Sequence, residues 1–189
     1  LFHALAQLAN LLISGTGGFT ITDTTVQATG DVTFLSGSTT LPTGNFTIGG
    51  SFTNLAIFNA AGGTVTLNTS SGTRTVAPST SVFSNLSVAQ TGGQLTIADH
   101  ATTTGNFTIA GATNLIFASG KTVAVGGTFT NQVGGGATTW LGATLALNSG
   151  TNYSINTKTT GGDAYGTLRL GTNTMIRSWN SSSTGYVLG

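Results

Sequence analysis

Along most of this chain, apolar residues come in pairs separated by a single other residue, usually small or polar. Val32-Thr-Phe34, Phe46-Thr-Ile48, Val65-Thr-Leu67, Leu86-Ser-Val88, Leu95-Thr-Ile97 and Phe107-Thr-Ile109 are clear cases. The series extends to Phe19-Thr-Ile21, Val123-Ala-Val125, Leu145-Ala-Leu147, Tyr153-Ser-Ile155 and Leu168-Arg-Leu170. Residues two apart on a strand share a face, so each triplet predicts a short strand with its outer members inward and its middle member toward solvent. Successive triplets start at uneven intervals, as the long step from Val123 to Leu145 and the short one from Leu145 to Tyr153 show. That is too irregular for a strict short-repeat roll, and it suits coils of two or three short strands joined by turns of unequal length. Gly-Gly pairs, such as Gly49-Gly50, Gly92-Gly93 and Gly126-Gly127, punctuate the series as turn signals.

Internal repeats lie above this rhythm. The hexapeptide T-G-[ND]-[FV]-T-[IF] occurs at Thr29–Phe34, Thr43–Ile48 and Thr104–Ile109. A second unit, F-[ST]-N, occurs at Phe52-Thr53-Asn54, Phe83-Ser84-Asn85 and Phe129-Thr130-Asn131. Self-similarity of this kind is the signature of a stacked array. The tight hairpin dipeptides Asn-Gly and Asp-Gly are both absent, which argues against an antiparallel sandwich. The fold expected is therefore all-β, a right-handed parallel β-solenoid of eight or nine coils, with a β-sandwich or jelly roll as the alternative. In such a stack Asn45 and Asn106 with Asp31, or Asn54, Asn85 and Asn131, would form side-chain ladders at corners, like residues meeting at about the 4.8 Å strand spacing.

The two ends break the pattern. His3, Gln7 and Asn10 stand at helical spacing in an otherwise apolar Leu1–Ile13. This predicts an amphipathic helix over residues 1–14, as a cap on the first coil, a subunit contact or a signal remnant. Residues 15–139 read as solenoid repeats, and 140–189 as coils rich in aromatics. Trp140, Tyr153, Tyr165, Trp179 and Tyr186 all fall in that last segment, with Lys158, Arg169 and Arg177. Rings with a polar handle suit stacking on sugars or a protein interface, and they equally suit a core that widens or terminates. Trp140, Tyr153, Tyr165 and Trp179 are the candidate ligand-binding residues. The closing Gly-Tyr-Val-Leu-Gly suggests a piece of a longer protein, or one that continues into a neighbour.

Composition changes the picture mainly by exclusion. Only 5% of the 189 residues are charged, against about 25% in ordinary domains. Thr (39), Gly (29), Ser (17) and Asn (14) supply just over half the chain, so the skin is polar without being charged. With 38% apolar residues, this is not a disordered composition. No Lys/Arg cluster exists for nucleic acid or anionic lipid, and no membrane span is expected. Absence of Cys removes disulfides and thiolate metal sites.

Catalytic chemistry has little to work with. There is no Glu, and the four Asp are residues 23, 31, 99 and 163. Asp99-His100 is the one adjacent acid–imidazole pair, and turn neighbours rarely aim at one substrate. A polysaccharide-cleaving β-helix would need Asp99 near a second carboxylate or a cation in a groove. None of the nucleophile-elbow, zinc-protease, P-loop, dinucleotide or calcium β-roll motifs is present, so no catalytic residue, metal or cofactor is assigned. Six N-x-[ST] sequons occur where about four would arise by chance at this Ser/Thr content. The Thr64-Val-Thr66 and Thr73-Arg-Thr75 pairs would form an ice-binding sort of hydroxyl array only if they stacked on one flat face.

The run F-[ST]-N-L-[AS]-[IV], then Gly92-Gly-x-Leu-Thr-Ile97, then T-G-N-F-T-I, resembles the Gly/Thr/Asn-rich repeats of large bacterial surface proteins. These include adhesin-like and autotransporter-passenger-like parallel β-helices. The resemblance spans residues 18–150. It implies a secreted, multi-repeat protein at the cell surface, acting in adhesion or as a stalk. The partners it implies are copies of itself or the remainder of a longer surface protein. Two alternatives accompany this expectation: a subunit of an extracellular filament, and a carbohydrate-binding or polysaccharide-cleaving β-helix.

Overall fold

The computed structural model describes residues 6–148, 152–154, 164–172 and 175–177. Every strand pairing in it is parallel, and partners follow one another three strands later in the chain over most of its length. Over the described residues the chain therefore winds as a β-solenoid of seven complete three-stranded turns, with further strands beyond them. A sandwich is ruled out, because its pairs would run antiparallel. The first face holds nine strands, from Ala6–Leu8 to Met175–Arg177. The second holds seven, from Leu11–Ile13 to Thr138–Thr139. The third is split into three strands (Gly18–Thr20 to Ile57–Asn59) and five (Val82–Phe83 to Thr167–Leu170).

Register explains the uneven spacing of the sequence triplets. Counterparts on the first face, Val26, Phe46, Val65, Leu86, Phe107, Phe129 and Tyr153, succeed one another once per turn, and the turns differ in length. The triplets are distributed over three faces, so the step between neighbours is usually only a fraction of a turn. Both apolar members are buried at Val32/Phe34, Phe46/Ile48, Val65/Leu67, Leu86/Val88, Leu95/Ile97, Phe107/Ile109, Val123/Val125 and Leu145/Leu147. Phe19 and Leu170 depart from this, each exposed on an end strand of its face.

The core is one continuous column. Phe34, Phe52, Phe58 and Phe83 form one ring cluster with centroids 5.3 to 6.4 Å apart. Phe107, Phe117, Phe129, Trp140 and Tyr165 form a second. Aliphatic residues of the turns between, such as Val76, Val88 and Ile97, join the two. Rings at edge-to-face separations of this kind add to the area they bury.

The third face breaks where the fourth turn carries an extra loop. Pro78 accepts a hydrogen bond from the Ser81 N–H at 3.0 Å, and Ser79 takes a left-handed φ of 54°. No strand pairing links Ile57–Asn59 to Val82–Phe83. Phe58 against Phe83, at 5.3 Å, carries the stack across the break. Packing continues where the backbone ladder does not.

The N-terminal helix is overturned for the described residues. Ala6–Leu8 pairs with Val26–Ala28, and Leu11–Ile13 pairs with Val32–Phe34. Apolar residues at 6, 8, 11 and 13 fit two short strands as well as they fit a helical stripe. An isolated helix of that length is marginal in water. The strand form instead satisfies backbone groups against the next turn: Thr29 N–H to Leu8 C=O (2.8 Å), Gly30 N–H to Ala9 C=O (2.6 Å) and Leu11 N–H to Asp31 C=O (2.9 Å). His3 lies outside the described residues.

Phe107 is fully buried between Phe117 and Phe129. Phe107→Ala is expected to cost about 3–5 kcal/mol in chemical denaturation. Thr108→Ala, on the outward side of the same strand, should stay within about 0.5 kcal/mol.

Candidate functional site

The most regular chemistry in the molecule lies at its corners. Asn85 Oδ1 accepts the N–H of Asn106 at 2.9 Å, and Asn106 Oδ1 accepts that of Thr128 at 2.9 Å. At the corner leading into the second face, Asn10 Oδ1 accepts the Asp31 N–H and Asp31 Oδ1 accepts the Ser51 N–H, both at 2.8 Å. Ser51 Oγ then accepts the Thr75 N–H at 3.2 Å. Each side-chain oxygen reaches up one turn to a backbone donor, and all of these donors but Thr75 lie where a bend takes them out of the sheet ladder.

A glycine precedes the held residue in four of these five links. The N–H groups of Gly30, Gly50, Gly105 and Gly127 bond to carbonyls of the turn below at 2.6 to 3.0 Å. A Cβ on Gly105 would lie 2.5 Å from Asn85 Oδ1 and 2.7 Å from Ser84 C=O, so a side chain and the ladder oxygen compete for one space. The corner needs glycine and an acceptor together.

The Asn residues singled out from the sequence divide differently from the grouping expected. Asn45, Asn85 and Asn106 share one outward file on the first face, with Thr64 between the first two. Asp31 belongs to the corner of the second face, not to that file. Asn45 bonds within its face, donating to Thr47 Oγ1 (3.0 Å) and accepting from Thr66 Oγ1 (2.8 Å). Asn54 closes a second-face strand and Asn131 a first-face strand, and both are buried. Asn54 accepts from the Ala56 N–H (3.1 Å) and donates to Ser81 Oγ (2.7 Å), whereas Asn131 Oδ1 accepts from the Val133 N–H (3.1 Å). The three F-[ST]-N copies thus never stack on one another. Gln90 was not anticipated. It is a buried amide that accepts from the Thr113 and Asn114 N–H groups and donates to Gly93 C=O.

The paired aromatics turn inward. Trp140 is 2% exposed and stacks on Phe117, its second-face counterpart, with centroids 3.5 Å apart and planes at 14°. Tyr165 is 6% exposed and meets Trp140 edge-on at 5.2 Å. As placed, neither ring presents a face to solvent. Tyr153 pairs with Phe129 through its backbone, and Trp179 lies outside the described residues.

Among the described residues, two ion pairs reach the corners. Arg74 Nη1 approaches Asp31 Oδ1 at 3.8 Å. Lys121 Nζ meets Asp99 Oδ1 at 3.0 Å, and the same oxygen accepts the His100 N–H at 2.8 Å. His100 Nδ1 in turn accepts the Thr122 N–H at 3.1 Å. Asp99 therefore does meet a cation, but as a staple between successive turns. The His100 backbone bond and then the Lys121 bond hold its carboxyl below its ordinary value of 3.8. Among the described residues, no group of three or more His, Asp or Glu could hold a metal, and no helix is long and apolar enough to cross a membrane.

Outward positions of the first face form two files. One runs Gln27, Thr47, Thr66, Ser87, Thr108, Thr130, and the other Thr25, Asn45, Thr64, Asn85, Asn106, Thr128, with no charge in either. Thr73 and Thr75 lie on the second face, so they do not extend the array begun by Thr64 and Thr66. Leu35 and Leu55 stand exposed one above the other where the second face ends, with Ile57 exposed beyond them. Comparison with protein-family models, curated proteins and solved structures found no match for this chain.

Removing the Asn106 acceptor strands the Thr128 N–H. Water can reach that amide, so Asn106→Ala should destabilise by about 0.5–1.5 kcal/mol in denaturant titration, and Asn106→Asp, which keeps an oxygen there, by less. Asp99 has a depressed folded-state pKa, so its contribution is present above the unfolded value and is lost as pH falls through the folded one. Thermal unfolding followed from pH 6 into the region below 4 should show that loss, and Asp99→Asn should flatten it.

Proposed function

We propose that this segment is a structural scaffold of an extracellular or cell-surface protein, a stalk or adhesin segment built from solenoid repeats. The observation that carries the reading is the way the described polar groups at the corners are spent on the stack itself. Among the described residues, side-chain oxygens, buried amides and the Asp99–Lys121 pair join one turn to the next, and Arg74 reaches Asp31 across two turns. Such an object bears shape rather than substrate: a rod whose nine first-face strands span about 40 Å at strand spacing.

Two surface features support a role in contact. The first face offers files of uncharged hydroxyl and amide groups, and the Leu35, Leu55 and Ile57 ridge leaves apolar area in water. Exposed apolar patches often mark interaction sites. The Gly/Thr/Asn-rich repeats favour a bacterial surface protein of the adhesin or autotransporter-passenger type, with the right-handed coil expected of parallel crossovers. Partners would be further repeats of the same protein or other copies of it.

The reading is tested by location and shape together. Intact source cells treated with protease should lose the segment from their surface, and the isolated chain should scatter X-rays as a monodisperse elongated particle. Retention of the protein in the soluble cell interior would overturn the surface assignment. Regular fibres under negative stain would move it to an extracellular filament.

A further inference from the structure

Four corner acceptors in the stack are Asn or Asp oxygens: Asn10, Asp31, Asn85 and Asn106. Where the second face turns into the third, the same task falls to an imidazole. His100 Nδ1 lies 3.1 Å from the Thr122 N–H of the next turn, immediately before the paired strands Ala101–Thr103 and Thr122–Val125. A ring nitrogen that accepts carries no proton, so in the neutral ring the proton belongs on Nε2. We propose that His100 is an acid-released latch, holding these two turns together while neutral and letting go of Thr122 when the ring is protonated.

The chemistry follows from the donor count. Protonated imidazole donates from both nitrogens and accepts at neither, so Nδ1–H would face the Thr122 N–H donor to donor. An amide in the same place has no such second state. Imidazole is also the side chain whose charge changes under mildly acidic conditions. The charged groups facing His100 are Asp99 on its own turn and Lys121 on the next, paired with each other at 3.0 Å. The strands packed around this corner, Val82–Phe83, Gln94–Ile97, Leu115–Phe117 and Thr122–Val125, bring no other charge. Asp99 keeps its charge further into acid, so its bond to Lys121 outlasts the latch. Release is then local: one corner of the third face opens while the core column stays closed.

The test is NMR of the whole chain from pH 8 to pH 5. Ring nitrogen shifts give the tautomer and the titration of His100, and hydrogen exchange gives the protection of the Thr122 amide. The neutral ring should carry its proton on Nε2. Thr122 protection should fall about tenfold as the ring titrates, while the amides of Asn106 and Thr128, held by asparagine, keep theirs. His100→Asn should retain protection at Thr122 and make it independent of pH over that range. A neutral ring protonated on Nδ1, or Thr122 protection unchanged through the ring's own titration, would overturn the proposal. So would an equal acid-dependent loss in His100→Asn.

Discussion

Parallel strands stacked about 4.8 Å apart place every side chain opposite its counterpart one turn away, and the rest of this molecule follows from that constraint. Like meets like along each file. For apolar residues this is favourable at every turn, so Val26, Phe46, Val65, Leu86, Phe107 and Phe129 run up the first face as one buried column. For charges it is costly, since like charges directly opposite one another repel. A chain with nine Asp, Lys and Arg in 189 residues, none of them in the outward files of the first face from Thr25 to Thr130, is the composition such a stack permits.

The same constraint explains where the polar chemistry goes. Within strands the backbone pairs with the turns above and below, but each bend leaves donors that the ladder does not match, and a fitted acceptor at each adds about 0.5–1.5 kcal/mol. Asn, Asp, Ser and one His supply the missing acceptors, and glycine clears the space they need. Asn54, Gln90 and Asn131 do related work from inside the core. Residue types that suggest a binding surface when read singly are here the fastenings of the coil. The Asp99–Lys121 pair belongs with them, and His100 adds to the set a fastening that a proton can change.

Much of the fold was legible in the chain. The apolar–polar–apolar triplets located strands and gave the inward residues of eight of them, because period two is a local property of extended backbone. Repeats without hairpin dipeptides pointed to stacking of parallel strands. The corner links were legible in part. Gly30-Asp31 and Gly50-Ser51 stand one turn apart, and so do Gly105-Asn106 and Gly127-Thr128. That glycine–acceptor pairing at turn length is a sharper signal than the F-[ST]-N motif, whose copies fall on different faces.

What the sequence determined by itself was the strand rhythm, the uncharged skin and the parallel stack, since these depend on periodicity and composition. Tertiary structure alone decided which triplet lies on which face, because the unequal lengths of the turns set the register and no local pattern reports them. It turned residues 6–13 into two strands, because a neighbouring turn offered their backbone partners that an isolated helix would have to supply for itself. It drew Trp140 and Tyr165 into the core, because Trp140 continues the file above Phe117 and Tyr165 meets both Trp140 and Phe129 edge-on. And it made His100 an acceptor, because only the stack brings Thr122 to its side.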